Sequence, residues 1–375
     1  MAGIYIHFPF CKKACHYCNF YFSTKMKNKE DLIFFLKKEI DLRYNELRKD
    51  TLESVYFGGG SPSILSLKEI DSIISKVKEK FIISKNAEMT LELNPDDVSM
   101  EYIKGLKKTG INRLSLGIQS FLEKDLLLMN RNHTSNQSLK AIEIVSEIFE
   151  NYSVDLIYGI PKSSLKDFLS NIKKALEFDP KHFSCYALTV EPKTVLDHKV
   201  KNNKIKMPID ELIKKQFDKM ISILEDKNYL HYEISNFAKS DFQSVNNCNY
   251  WLRKPYLGIG PSAHSFDGHF KRSWNASNIN LYMKSIKEEK LCFGEENLTI
   301  SESYNEYIML GLRTSSGVSL RKIEKIFGSK YLKYFMKQID IFIDSKMLCI
   351  DGDAIKITAN GKFISDKIAS DLFKL

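Results

Sequence analysis

The sequence predicts an α/β protein: an open, TIM-type partial barrel of six β/α units, (β/α)6, with a small C-terminal helical, winged-helix-like domain. Three observations carry that expectation. Over the first 240 residues, short strand-like runs alternate with longer amphipathic segments. The 375 residues call for two domains, or for a large barrel with an appendage. After about Ser301 the order changes to helix, helix, helix, hairpin, helix.

The strand-like runs are Ile4–Phe8, Ser54–Phe57, Glu88–Leu93, Arg113–Leu116, Ser153–Tyr158 and Phe183–Val190, each rich in β-branched or aromatic residues. Between them apolar residues recur three and four apart, as in Leu32, Ile33, Leu36, Ile40 and in Ile70, Ile73, Ile74, Val77. Such alternation implies a parallel sheet with right-handed crossovers, and six units are too few to close an eight-unit barrel. Pro208 followed by Ile209–Leu224 reads as a further helix. Residues 1–230 are therefore expected to form the barrel. Residues 231–300, aromatic and rich in Gly and Asn, are expected to form a connecting region at its mouth. Residues 301–375 form the C-terminal domain, with Asp351-Gly352-Asp353 turning a hairpin between Met347–Ile350 and Ala354–Thr358.

Composition narrows the function classes. Hydrophobic residues at 43% and charged residues at 27% exclude disorder and fibres. The net charge of +9 comes almost wholly from lysine, since only eight residues are arginine, and a lysine surface is a weak nucleic-acid signal. The C-terminal domain has 12 basic and 9 acidic residues, so its winged-helix order lacks the charge of a DNA-binding face. No nucleic-acid partner is expected. No apolar run approaches the ~18 residues of a membrane span. The start lacks the basic segment and long apolar run of a signal peptide, and a cytoplasmic location is expected. Of seven cysteines, Cys11, Cys15 and Cys18 cluster while Cys185, Cys248, Cys292 and Cys349 are scattered. That is a reduced protein with one cysteine-built site, with Cys185, Cys292 and Cys349 expected to be structural.

The spacing C-x3-C-x2-C directly follows the first strand, where a β/α barrel places its functional loops. Three thiolates on one tight loop can hold three corners of a 4Fe–4S cluster and leave one iron open. A zinc site completed by His7 or His16 is the alternative, although the remaining cysteines offer no C-x2-C partner. Directly after the second strand, Gly58-Gly59-Gly60-Ser61-Pro62 lets backbone approach a ligand with no Cβ in the way.

Together these pieces resemble the radical S-adenosylmethionine (SAM) superfamily. Tyr5–Cys11, Gly58–Pro62, Glu92-Leu93-Asn94-Pro95, Gly117–Phe121, Asn130–His133 and Asp155–Pro161 resemble, in order, the motifs of the oxygen-independent coproporphyrinogen III oxidase (HemN-like) family. The resemblance implies a radical SAM barrel with a 4Fe–4S cluster on Cys11, Cys15 and Cys18, whose open iron takes the amino and carboxylate groups of SAM. An external electron then cleaves a C–S bond of SAM. It also implies that Tyr5 and Tyr17 flank the cluster and cofactor, and that Gly60 and Ser61 line the amino-acid end of SAM. Glu92, Gln119 and Asp155 would supply polar contacts, and Arg131 a fork for the carboxylate. The family usually has glycine where this chain has Asn130; asparagine is the next choice for a left-handed helix cap, so the geometry should survive.

Two branches of the family diverge in what they do. The oxidase typically has an N-terminal extension and a further cysteine two residues past the cluster motif. Here the first cluster cysteine is residue 11 and the further position is Phe20. Both departures resemble the HemW branch, the haem chaperones, and imply haem or porphyrin, a haem-acceptor protein and an electron donor as partners. Oxidative decarboxylation of coproporphyrinogen III is the alternative, and an iron–sulfur winged-helix regulator the third. Asn246-Asn247-Cys248-Asn249-Tyr250-Trp251 departs from that branch, which has histidine at position 246 as its implied haem ligand. An asparagine amide is a poor iron ligand, so the ligand must lie elsewhere, with Cys248, Tyr250 and His264 as candidates in that order.

Overall fold

In a computed structural model that describes residues 1–291 and 293–374, β1 (Ala2–Phe8), α1 (Lys29–Arg43), β2 (Thr51–Gly59), α2 (Leu67–Lys80), β3 (Ile82–Leu93) and α3 (Met100–Thr109) make the first three units. β4 (Arg113–Gln119), α4 (Glu123–Met129), α5 (Ser135–Ile148), β5 (Tyr152–Tyr158), α6 (Leu165–Leu176), β6 (His182–Ala187), α7 (Val195–Lys201) and α8 (Asp210–Asp226) complete the series. The strands β1 to β6 lie side by side in chain order and pair in parallel. β1, β4 and β5 are buried almost throughout, as strands covered on both faces must be. Helix starts follow local capping chemistry. Ser66 with Glu69, Thr134 with Gln137, and Ser164 with Asp167 form capping boxes at α2, α5 and α6.

The expected connecting region does more than connect. β7 (Leu230–Glu233) and β8 (Asn236–Ala238) add to the β6 edge, β8 running antiparallel to β6. After α9 (Val245–Trp251), β9 (Tyr256–Ile259) pairs in parallel with β1 at the opposite edge. β10 (His264–Phe266), β11 (Lys271–Asn275), α10 (Ile279–Lys287) and β12 (Phe293–Asn297) follow, and a 12-stranded sheet results. Both edge strands of the barrel sheet, β1 and β6, are thus paired by the same stretch of chain, and the sheet now ends in the short strands β12 and β7. These strands have three to five residues, too few for alternation to announce them.

The C-terminal domain comprises α11 (Ile300–Arg313), β13 (Val318–Ser319), α12 (Leu320–Phe327), α13 (Ser329–Asp344), β14 (Leu348–Asp351), β15 (Ala354–Ile357) and α14 (Ser365–Asp371). The hairpin turns at Gly352, φ +59°, between β14 and β15, and β13 completes a three-stranded sheet. This domain has its own core around Tyr304, Ile308, Phe335, Ile339 and Leu348. It joins the barrel through Ile234 N–H to Arg313 O (3.1 Å) and Ser315 N–H to Tyr232 O (2.9 Å). Among the described residues no helix is long and apolar enough to cross a membrane. Cys185 is buried and Cys349 exposed; Cys292 lies outside the described residues.

Candidate functional site

The carboxyl ends of β1 to β6 surround a cavity of about 810 Å³, within the size range of small-molecule sites. Cys11, Cys15, Cys18, Tyr17, Gly60, Ser61, Glu92, Gln119, Arg131 and Asp155 all line it. Tyr5 does not. Its ring packs behind Gly58, where an added Cβ would come within 2.9 Å of it, and it faces a second, smaller cavity.

The cysteine loop is tied down on two sides. Cys11 N–H donates to Ser23 O (3.0 Å), and Ser23 N–H to Pro9 O (2.7 Å). On the other side α4 ends in Asn130 at φ +58°, the left-handed cap expected of a residue standing in for glycine. Its Nδ2 donates to Ala14 O (2.7 Å), His16 Nδ1 donates to Leu128 O (2.8 Å), and His16 N–H donates to Met129 O (3.0 Å). Arg131 Nη1 reaches Cys15 Sγ (3.4 Å) and Tyr17 Oη (3.5 Å), while Nη2 donates to Asn94 Oδ1 (2.8 Å) and Gly117 O (3.0 Å). The guanidinium therefore braces the loop against two strands, and only its Nε is buried without a partner.

The glycine loop approaches the thiols as closely as backbone can. A Cβ on Gly60 would lie 2.7 Å from Phe10 O and 2.9 Å from Cys11 Sγ. Ser61, beside it, accepts from Asn94 Nδ2 (2.6 Å). Burial raises the Cys11 thiol to about 11, and the neighbouring thiols Cys18 and Cys15 push the same way against a hydrogen bond from Ser61. Burial raises the Cys18 thiol as well, and metal binding is what turns such raised thiols into thiolates. They need not converge on one point, because each cysteine of a 4Fe–4S cluster binds a different iron. Among the described residues no three His, Cys, Asp or Glu side chains converge as a single zinc ion requires. His7 Nε2 and His16 Nδ1 are turned to the carbonyls of Tyr21 and Leu128. The donor set fits the cluster, and Gly60 lets the second loop pack directly against the Cys11 thiol.

Deeper in the cavity, Tyr56 Oη donates to Glu92 Oε1 (2.9 Å), and Asp155 accepts from Ser115 (3.0 and 3.1 Å) and Ser153 (3.0 Å). Burial pushes the Glu92 carboxyl up to about 7, with the Asp155 charge adding to it. Burial also raises Asp155, against those hydroxyl donors and the charge of Arg113. Gln119 sits at φ +64°, where a bulge breaks the pairing of β4 with β5, a strained turn of the kind found at ligand sites. Asn94, which touches both Ser61 and Arg131, belongs to the Glu92–Pro95 motif but carries no signal of its own in the sequence. Arg313, Lys362 and Phe363 of the C-terminal domain also line the cavity, and no local pattern could have announced them.

His133 is buried with Nε2 donating to Ile118 O (3.1 Å). Position 246 faces neither cavity: Asn246 is buried, accepts from Ser54 Oγ (3.3 Å) and gives its N–H to Glu88 (3.1 Å).

Residues 5–175 match the radical SAM superfamily and residues 298–364 the HemN C-terminal domain. A protein of Bacillus subtilis (strain 168) named "Heme chaperone HemW" is 31% identical over 373 residues, covering 98% of both chains. The chain belongs to the HemW family. A HemW of Lactococcus lactis subsp. lactis (strain IL1403) is likewise 31% identical, over 95% of this chain and 93% of its own. The solved structure of coproporphyrinogen III oxidase (HemN) from Escherichia coli superposes with a TM-score of 0.86 at 22% identity, covering 100% of this chain and 90% of that one. That likeness establishes the shared fold. With HemW membership come a 4Fe–4S cluster and SAM, the cofactors of the superfamily.

Proposed function

We propose that this chain is a radical SAM haem chaperone, which binds haem and passes it to an acceptor protein. The observation that carries the reading is the cysteine loop: Cys11, Cys15 and Cys18 open together onto a cavity floored by Gly60 and Ser61. In our reading the three thiolates hold the cluster, which with SAM supplies the redox chemistry of the site. Gly60 and Ser61 admit the amino-acid end of SAM. Glu92, Gln119 and Asp155 offer acceptors and an amide to its polar groups. Arg131 acts as a positioning residue rather than a free fork, because its terminal nitrogens already hold Cys15, Tyr17, Asn94 and Gly117.

The names of the full-length relatives support a chaperone over an oxidase, and so does Phe20 where the oxidase branch has its further cysteine. The reduced cysteines support a cytoplasmic location, and the near-balanced charge of the C-terminal domain supports protein partners over nucleic acid. Reduction of the cluster would need an external electron donor. The test is an anaerobically reconstituted chain given coproporphyrinogen III in one assay, and haem with an apo-globin acceptor in another. The reading expects haem uptake and transfer without formation of protoporphyrinogen. Turnover of coproporphyrinogen would overturn it.

A further inference from the structure

The second cavity, about 590 Å³, lies beside the first, and the two share only Asn19 and Phe20 in their walls. Resting on the reading of this chain as a haem carrier, we propose that this cavity holds the haem, with His264 as its axial ligand and Arg253 and Arg272 facing its propionates. The walls suit a flat apolar macrocycle. Tyr250 meets Tyr256 edge-on at 4.6 Å and 70°, and Tyr256 leans on Phe266 at 6.3 Å. Arg253 and Arg272 stack over the Phe266 ring at 5.3 and 5.7 Å. Among the residues lining the cavity these two guanidiniums face one carboxylate, Glu306, which pairs with both. Arg253 Nε is buried without a partner. A ligand with two carboxylates and an aromatic plane matches this wall.

The choice of ligand follows from which donors are free. His7 is spoken for: Nε2 donates to Tyr21 O (3.0 Å) and Nδ1 accepts from Tyr5 Oη (3.4 Å). Burial raises the phenols of Tyr5, Tyr250 and Tyr256, so they stay protonated where iron needs phenolate. Cys248 lines neither cavity, and burial raises its thiol to about 11. His264 is exposed, its ring nitrogens accept and donate no hydrogen bond among the described residues, and Trp274 stacks on it at 6.0 Å and 29°. Burial and the charge of Arg272 lower its pKa, which keeps the imidazole neutral near pH 7, the form that ligates iron.

The test is titration of the full chain with ferric haem b, followed by its Soret absorption and resonance Raman spectrum. His264→Ala should weaken binding about tenfold or more and abolish the imidazole-ligated spectrum, which added imidazole restores. Arg272→Gln should weaken binding several-fold with the ligation spectrum intact, about as expected for one lost charged pair. Iron content of the reconstituted cluster should be unchanged in both, which also reports that they fold. His264→Ala with wild-type affinity and spectrum would overturn the site while leaving the chaperone reading standing. A wild-type chain that takes up no haem would overturn both.

Discussion

The cavity of about 810 Å³ at the strand ends and the cavity of about 590 Å³ beside it share Asn19 and Phe20, and otherwise have different walls. The larger is built of thiols, a glycine loop, buried carboxyls and hydroxyls, on the strands β2 to β5 and the loops just past β1 and β2. The smaller is built of aromatic rings, an unpartnered imidazole and two guanidiniums, drawn mostly from chain that covers the sheet edge. The first suits a small polar ligand held by many directed contacts, the second a large flat one held by its faces and its rim. The difference teaches that this fold can carry a redox site and a cargo site side by side, with separate residues for each apart from Asn19 and Phe20.

The comparison can be broken most severely at the thiols. Cys15→Ser should abolish the brown colour and most of the bound iron, read by iron analysis after anaerobic reconstitution. Haem affinity should stay within about threefold, because the second cavity contains none of the cluster cysteines. Haem uptake that vanishes with the iron would mean that the two cavities act as one site.

Next in size is the buried carboxyl. Glu92 titrates at about 7 in the fold, from burial and Asp155, against 4.5 for an ordinary glutamate. Between those values the folded chain holds more protons than the unfolded one, so Glu92 makes stability fall as pH rises through that window and level off above it. The expected loss in the cofactor-free protein is about 3 kcal/mol, and Glu92→Gln should remove it. Urea denaturation at pH 5 and pH 8 compares the two; parallel pH dependences for wild type and variant would show that Glu92 is not held in this way.

Much of the larger cavity was legible in the sequence, and little of the smaller. The strands β1 to β5 announce themselves as short runs rich in β-branched and aromatic residues between amphipathic segments, and each site motif sits within or just past one. Asn130 was legible as well, since its αL cap depends on local backbone preference alone. The edge strands were not, being short, nor was the contribution of Arg313 and Lys362, which depends on tertiary docking. The site proposed for haem reverses the order of ligand candidates. Cys248 and Tyr250 stand in the interrupted motif, but Cys248 lines neither cavity and burial keeps Tyr250 a phenol, and His264 is left free. Hydrogen-bond occupancy is a property of the packed chain that residue type does not record.

Smaller effects sharpen the boundary. Gly60→Ala sets a Cβ against Phe10 O and Cys11 Sγ and should weaken SAM binding about tenfold, from roughly 1–3 kcal/mol of overpacking, in isothermal titration of the reconstituted protein. Unchanged affinity would place SAM away from the glycine loop. Phe20, 68% exposed, should matter least. Phe20→Ala should alter unfolding stability by less than about 0.5 kcal/mol and haem affinity by about twofold to threefold. A larger loss would make it a working wall between the cavities.

The separation of cluster site from cargo site is tested most directly by titrating haem into one preparation of the chain twice, first stripped of iron and sulfide, then reconstituted and saturated with SAM. Separate cavities predict two dissociation constants within about threefold of each other and the same ligation spectrum. Haem binding that appears only with the cluster, or haem that displaces SAM, would contradict it.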